Sequence, residues 1–159
     1  MIVENHEDLA GIVKRRQAAG ELIVFTNGVF DILHNGHARY LAEARGLGDA
    51  LIVAVNSDSS VRRLKGEKRP IVGEAERAEM LDALRSVDYV TFFGTDTPVP
   101  LLRELKPDIY VKGGDYRIED LPEAPVVKAY GGVVRLLPFV DGSSTTNIVQ
   151  RILERYGSA

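Results

Sequence analysis

The chain has 159 residues, 45 % apolar and 27 % charged, which fits one domain with a sizeable core. Cysteine is absent and no apolar run is long enough to cross a bilayer, so disulfides, thiolate metal sites and a spanning helix are excluded. A net charge of −3 gives no general attraction for nucleic acid or a membrane surface, so an anionic ligand would need local cations, helix starts or a metal ion.

In chain order, the start MIVENHEDLAGIVKRR lacks a basic segment followed by an apolar one and does not read as a secretion signal. A cytoplasmic protein is expected. Helical spacing covers about 6–19, and an apolar run at 22–25 reads as a strand buried on both faces. A helix is expected over 36–45, a second strand at 51–55, a loop over 58–73 and a helix over 74–84. Strands follow at 89–93, 109–111 and 133–137, with helices at 98–105 and 145–156 and a second loop over 113–124. The alternation predicts an α/β chain: a Rossmann-like, parallel, five-stranded sheet with helices on both faces. Residues 1–159 read as a single domain, with an N-terminal helix in 1–20 and an α/β core over 21–156. In such sheets ligands bind beyond the carboxyl ends of the strands.

The most informative segment is ThrAsnGlyValPheAspIleLeuHisAsnGlyHis, 26–37, between the first strand and its helix. His34 falls just before the first helical turn and His37 inside it. A helix start offers unpaired N–H groups and the positive end of the macrodipole, and Gly36 lets a phosphate approach the backbone. Two imidazoles three residues apart can reach the same phosphate, donating hydrogen bonds and carrying charge near neutral pH. The same residues admit a two-His-one-carboxylate metal triad of Asp31, His34 and His37. Spacing alone leaves that open, although Asp31, in a tight turn, more often bonds nearby backbone N–H groups.

Further along, Arg62, Arg63, Lys65, Lys68 and Arg69 make 58–73 basic. Most read as solvated; Lys65 is the candidate phosphate ligand because Gly66 permits a bend. Arg77 reads as a salt-bridge partner of Glu74 or Asp82 on its helix. Asp58, closing the second strand, is a loop cap or a site residue. Lys112, Gly113 and Asp115 lie in LysGlyGlyAsp at the sheet's carboxyl edge; Asp115 could accept from a sugar hydroxyl or help hold Mg²⁺. The run Ser143, Ser144, Thr145, Thr146 after Gly142 exceeds what capping the last helix requires, and suits terminal phosphates.

GlyValPheAspIleLeuHisAsnGlyHis resembles the GxFDxxHxGH signature of the cytidylyltransferase-like nucleotidyltransferase superfamily, and the serine–threonine run resembles its second signature, GxSTT. With ValAlaValAsnSerAsp, LeuLysGlyGluLysArgPro and ValLysGlyGlyAspTyr in order, the match from about residue 20 to 155 is nearest the heptose 1-phosphate adenylyltransferase branch. Phe139 and Val140 stand where glycerol-3-phosphate cytidylyltransferases carry an Arg-Thr pair, a departure the heptose branch shares. The resemblance implies transfer of AMP from ATP to a sugar 1-phosphate, D-glycero-β-D-manno-heptose 1-phosphate, giving ADP-heptose for lipopolysaccharide core synthesis. It implies His34, His37 and Lys65 as catalytic residues. Thr26, Asn27, Gly28, Val29, Phe30, Gly36, Arg77, Gly113, Ser144, Thr145 and Thr146 would bind the nucleotide, and Asp31, Asp58, Lys112 and Asp115 the acceptor. Mg²⁺ would ride mainly on the nucleotide phosphates. The partners would be small molecules, with no nucleic acid and no membrane, and relatives of this type often pair as homodimers. Competing readings are a cytidylyltransferase acting on a polyol phosphate and a nucleotide-binding module without chemistry. A nicotinamide oxidoreductase or P-loop kinase lacks its glycine motif, and a tRNA synthetase fragment lacks a basic RNA face.

Overall fold

The computed structural model describes residues 1–138 and 144–157. Helices α1 (His6–Ala18), α2 (Asn35–Arg45), α3 (Asp58–Lys65), α4 (Glu74–Asp82), α5 (Val99–Leu105), α6 (Ala124–Ala129) and α7 (Thr145–Tyr156) alternate with strands β1 (Ile23–Gly28), β2 (Ala50–Asn56), β3 (Tyr89–Phe93), β4 (Ile109–Gly113) and β5 (Val133–Leu137). The strands form one sheet in the order β3-β2-β1-β4-β5, parallel at every pairing. The fold is therefore the α/β, Rossmann-like, five-stranded arrangement expected.

Alternation along β1 explains the two layers. Ile23 and Phe25 join Leu9, Val13, Leu102 and Val127 in a core under α1, α5 and α6. Val24, between them, joins Leu41, Ala44, Ala78 and Leu81 in a second core under α2 and α4. The central strands are buried on both faces, and β2 is buried throughout, which is why they read as continuous apolar runs. Because β1 has β2 on one side and β4 on the other, consecutive crossovers leave in opposite directions there. A crevice opens at that switch point, beyond the carboxyl ends of β1 and β4.

Three boundaries differ from expectation. The segment 58–73 is not all loop, because it contains α3. Ser57 caps this helix by accepting from the Ser60 N–H, Asp58 sits in its first turn and Arg62, Arg63 and Lys65 in its last, all favourable to the dipole. Only Ser60 and Val61 of it are buried, so no apolar stripe announced it. Gly66, at φ +93°, ends it. Likewise 113–124 holds a short 3₁₀ turn at Ile118–Asp120 and leads directly into α6, whose one buried residue is Val127. Finally, Thr26, Asn27 and Gly28 are the last residues of β1 rather than part of a turn after it.

Candidate active site

Thr26 locks the crevice from below. Its buried hydroxyl donates to the Val111 carbonyl at 2.9 Å and meets the Tyr40 hydroxyl at 2.7 Å, tying β1 to β4 and α2. The turn that follows is tight. Phe30 adopts φ +50°, a left-handed conformation uncommon for a bulky residue, and folds its ring back over Gly28. A Cβ at residue 28 would lie 2.8 Å from that ring, so a larger residue there would displace the ring.

The turn delivers His34 as the N-cap of α2. Its Nδ1 accepts from the Gly36 N–H at 3.1 Å. An accepting Nδ1 leaves the neutral ring's proton on Nε2, the nitrogen free to donate. His37, one turn on, stacks against His34 with ring centroids 3.8 Å apart and 22° between planes. Phe30 meets His37 edge-on at 5.3 Å. The His37 Nδ1 is buried and meets no partner among the described residues, leaving Nε2 as the nitrogen available to a ligand. Burial holds both rings neutral: it lowers His34, and burial followed by repulsion from His34 pushes His37 down to about 4. In the free protein the pair is thus neutral rather than cationic near neutral pH, and His34 offers an Nε2–H donor. An arriving polyphosphate supplies the negative field that favours protonation.

The cleft around the pair has a volume of about 600 Å³. Of the sequence candidates it gathers Asn27, Gly28, Val29, Phe30, Asp31, His34, Gly36, His37, Lys65, Lys112, Gly113, Ser144, Thr145 and Thr146. Lys65 comes from the last turn of α3. Lys112 is the next-to-last residue of β4, its Nζ 5.3 Å from the Tyr116 ring centre. Ser144 caps α7 by accepting from the Asn147 N–H at 3.0 Å. The Thr145 hydroxyl donates to the Ile32 carbonyl at 3.2 Å and so ties α7 to the turn that carries His34. Thr146 is exposed at the mouth. Gly142 and Ser143, with Phe139 and Val140, lie outside the described residues.

Four candidates do not line the cleft. Thr26 is the internal tie described above. Asp115 is exposed beyond the rim. Arg77 is 1 % exposed and fully engaged: Nε donates to the Val72 carbonyl at 2.9 Å, Nη1 to Val29 at 2.6 Å, and Nη2 to Asn56 at 2.8 Å and to Asp58 at 2.7 Å. It is neither a partner of Glu74 or Asp82 nor free to reach a phosphate; it braces the turn carrying Val29 against β2 and the 69–73 segment. Asp58 is its counter-ion, and is engaged in the same way.

Asp31 reaches the cleft wall with its carboxylate turned away. It accepts from Arg69 Nε at 2.6 Å and from the Ile71 and Val72 N–H groups at 2.9 Å. Burial alone would raise this carboxyl; the two backbone donors and the guanidinium outweigh it and hold it below its ordinary value. The carboxylate therefore pins residues 69–72, as the turn chemistry allowed, and the metal triad is not formed. Among the described residues no group of three His, Asp or Glu is placed to hold a metal ion.

Sequence reasoning missed several cleft residues. Arg69, read with the solvated cations, is the partner of Asp31. Phe93, Asp96, Tyr116 and Glu123 also line the cleft. Asp96 accepts from Arg63 at 3.3 Å; nothing in the local sequence marks Phe93, Asp96 or Glu123, while Tyr116 stood only as the end of the ValLysGlyGlyAspTyr motif.

Comparison with known proteins agrees with this geometry. The Cytidylyltransferase-like family model matches residues 25–151. The chain is 55 % identical over 154 residues to the bifunctional protein HldE of Pelobacter propionicus, covering 97 % of this chain and 32 % of that one. It is 55 % identical to the protein of the same name from Geobacter metallireducens, covering 98 % and 32 %. The chain thus spans about a third of the length of these curated relatives. Among solved structures, the lipopolysaccharide core biosynthesis protein of Thermoplasma volcanium is 33 % identical with a TM-score of 0.62, covering 78 % of this chain and all of that one. A parallel sheet with its paired imidazoles at the switch point, and a family match that begins inside β1 and ends inside α7, lead to one conclusion: the chain belongs to the cytidylyltransferase-like family.

Proposed function

We propose that this chain is a nucleotidyltransferase that transfers AMP from ATP to a sugar 1-phosphate, D-glycero-β-D-manno-heptose 1-phosphate, and releases pyrophosphate. The observation that carries the reading is the stacked His34–His37 pair at the start of α2, in a cleft shared with Lys65, Lys112 and the Ser144–Thr146 hydroxyls. Adenine and heptose are supported by the likeness of the ordered motifs to the heptose branch and by the similarity to HldE proteins.

In this mechanism an ionised oxygen of the sugar phosphate attacks the α-phosphorus of ATP in line. A new phosphorus–oxygen bond forms, and the bond from the α-phosphorus to the bridging oxygen breaks. The electron pair leaves with pyrophosphate, so no general base is needed. The protein contributes position and charge stabilisation. His34 and His37 donate from Nε2 to the α- and bridging-phosphate oxygens, Gly36 leaves room for them, and Lys65 and Lys112 add fixed positive charge. Thr146 and Ser144 face the departing pyrophosphate, and the backbone of Asn27–Phe30 cradles the nucleotide. Mg²⁺ carried on the phosphates would supply further charge screening. Arg77, Asp58 and Asp31 act behind the site, holding the turn and the 69–72 segment in place.

No helix among the described residues is long and apolar enough to cross a membrane, and the reading remains that of a cytoplasmic enzyme of small molecules, with Mg²⁺ and, as in relatives of this type, a homodimeric state. The decisive test is pyrophosphate release in a matrix of the four nucleoside triphosphates against heptose 1-phosphate, mannose 1-phosphate and glycerol 3-phosphate. The expected result is turnover with ATP and the heptose phosphate. Turnover confined to CTP with glycerol 3-phosphate would replace the substrate assignment, and nucleotide binding without turnover in any pairing would replace the enzyme by a binding module.

A further inference from the structure

The wall of the cleft facing the histidine pair has the opposite chemistry. Glu123, just ahead of α6, is 3 % exposed, yet it lines the cleft. It forms no capping hydrogen bond with the short helix that follows, and no ion pair involving it occurs among the described residues. Its Oε2 is buried without any hydrogen-bond partner. Beside it, the Tyr110 hydroxyl donates to Asn27 Oδ1 at 2.9 Å. Burial, and then the charge of the adjacent Glu123 carboxylate, push that phenol well above its ordinary range. Asn27 and Asp96 extend the same wall.

An unpartnered carboxylate oxygen in a buried position is costly unless something completes it. The adjacent Tyr110 hydroxyl gives its one proton to Asn27, so the partner arrives with the ligand, and three classes can be weighed. A phosphate is repelled by the like charge. A metal ion would need further ligands, and no three-group cluster is present among the described residues. What remains is a neutral donor, an O–H pointing at the oxygen. A cleft with phosphate-binding groups on one wall and an orphan carboxylate with an amide on the other suits a molecule that is phosphate at one end and polyol at the other.

We propose that Glu123 Oε2 accepts a hydrogen bond from a hydroxyl of a sugar bound in the cleft. The inference deepens the reading of the previous subsection and rests on it. Two sugars enter such a cleft, the acceptor and the ribose of the nucleotide, and both offer the same chemistry. The acceptor is the larger polyol and the one whose identity must be discriminated.

The test is equilibrium binding by calorimetry on the full chain and on Glu123→Gln, with heptose 1-phosphate, its monodeoxy analogues, ATP, 2′-deoxyATP and 3′-deoxyATP as the titrants. Affinity for one sugar should fall about 10- to 100-fold in E123Q. In the wild type, one deoxy analogue of that sugar should show the same loss, and E123Q should no longer distinguish it from the parent. A loss confined to heptose 1-phosphate assigns the acceptor; one confined to ATP and a single deoxyATP assigns the ribose. Unchanged affinity for both, or a loss for ATP that neither deoxyATP reproduces, overturns the proposal. Binding does not require turnover, so a chain inactive in the pyrophosphate assay would sink the enzyme reading while leaving this result legible. Should E123Q fail to fold, the wild-type deoxy series decides alone: no analogue weakened about tenfold or more means no hydroxyl is read.

Discussion

Two groups of polar residues lie within one short stretch of this chain's crevice, and they differ in what is left over. Around Arg77, all three guanidinium nitrogens and the carboxylates of Asp58 and Asp31 are engaged by neighbouring protein atoms. Around His34 and His37, the Nε2 atoms, Lys65, Lys112 and Thr146 face a cavity. The first group uses its hydrogen-bonding capacity to hold a turn; the second keeps capacity for a ligand. Residue type does not separate them, since arginine and aspartate are as suited to phosphate and metal as histidine and lysine. The difference is the number of uncommitted donors after folding. A strained turn at Phe30 needs such a brace directly behind it, and this explains why the two groups adjoin.

The sharpest way to break the comparison is Arg77→Ala. With the carbonyls of Val72, Val29 and Asn56 and the Asp58 carboxylate left unpaired, stability should fall by about 3–5 kcal/mol, read as a lower midpoint in urea, and Arg77→Lys should recover little of it. A variant with a wild-type midpoint and lost turnover would move Arg77 into the ligand-binding group. His37→Ala should do the reverse: kcat down by roughly 10²–10³, as for removal of one preorganised donor, with the midpoint near wild type. Wild-type turnover in that variant would remove His37 from the chemistry.

Asp31→Asn sharpens the contrast from the other side. The amide keeps the shape but loses the charge-assisted bonds to Arg69, Ile71 and Val72, and about 1–3 kcal/mol of stability with them. A further effect is on the pH profile of stability. His37 is lowered from 6.5 to about 4 in the folded chain, so between those values the unfolded state takes up a proton the folded state refuses. Its contribution is complete above pH 6.5 and is lost as pH falls toward 4. Asp31, also depressed, adds its own loss at more acid pH, as its folded carboxyl protonates. His37→Gln should flatten the upper part of that decline and leave the acid part; an unchanged curve above pH 4 would mean the ring is not held neutral by folding.

These residues also mark what could be read before folding. His34 and His37 were legible because their role is local: a strand end, a turn and a helix start, all encoded within 26–37, fix where two rings i and i+3 must point. The sheet was legible for a similar reason, since strands buried on both faces announce themselves as apolar runs. Helix α3 was not, because a capped, charge-favoured helix with only Ser60 and Val61 buried carries no stripe. Arg77 was ambiguous because its role depends on Val29 and Asn56, 48 and 21 residues away. Glu123 carried no signal at all; its significance is an empty valence that exists only once Tyr110 and Asn27 are packed beside it.

The account depends on phosphates meeting the paired rings, and the histidine side chains report this directly. Ring resonances of His34 and His37 should be followed by NMR from pH 3.5 to 8, without ligand and with a non-hydrolysable ATP analogue. Without ligand, His37 should titrate near 4 and His34 below its ordinary value. With the analogue bound, both should move upward toward neutrality, because a neighbouring polyphosphate favours the charged form. Upward movement of both rings is the predicted result; a saturated complex in which neither His34 nor His37 shifts would contradict it.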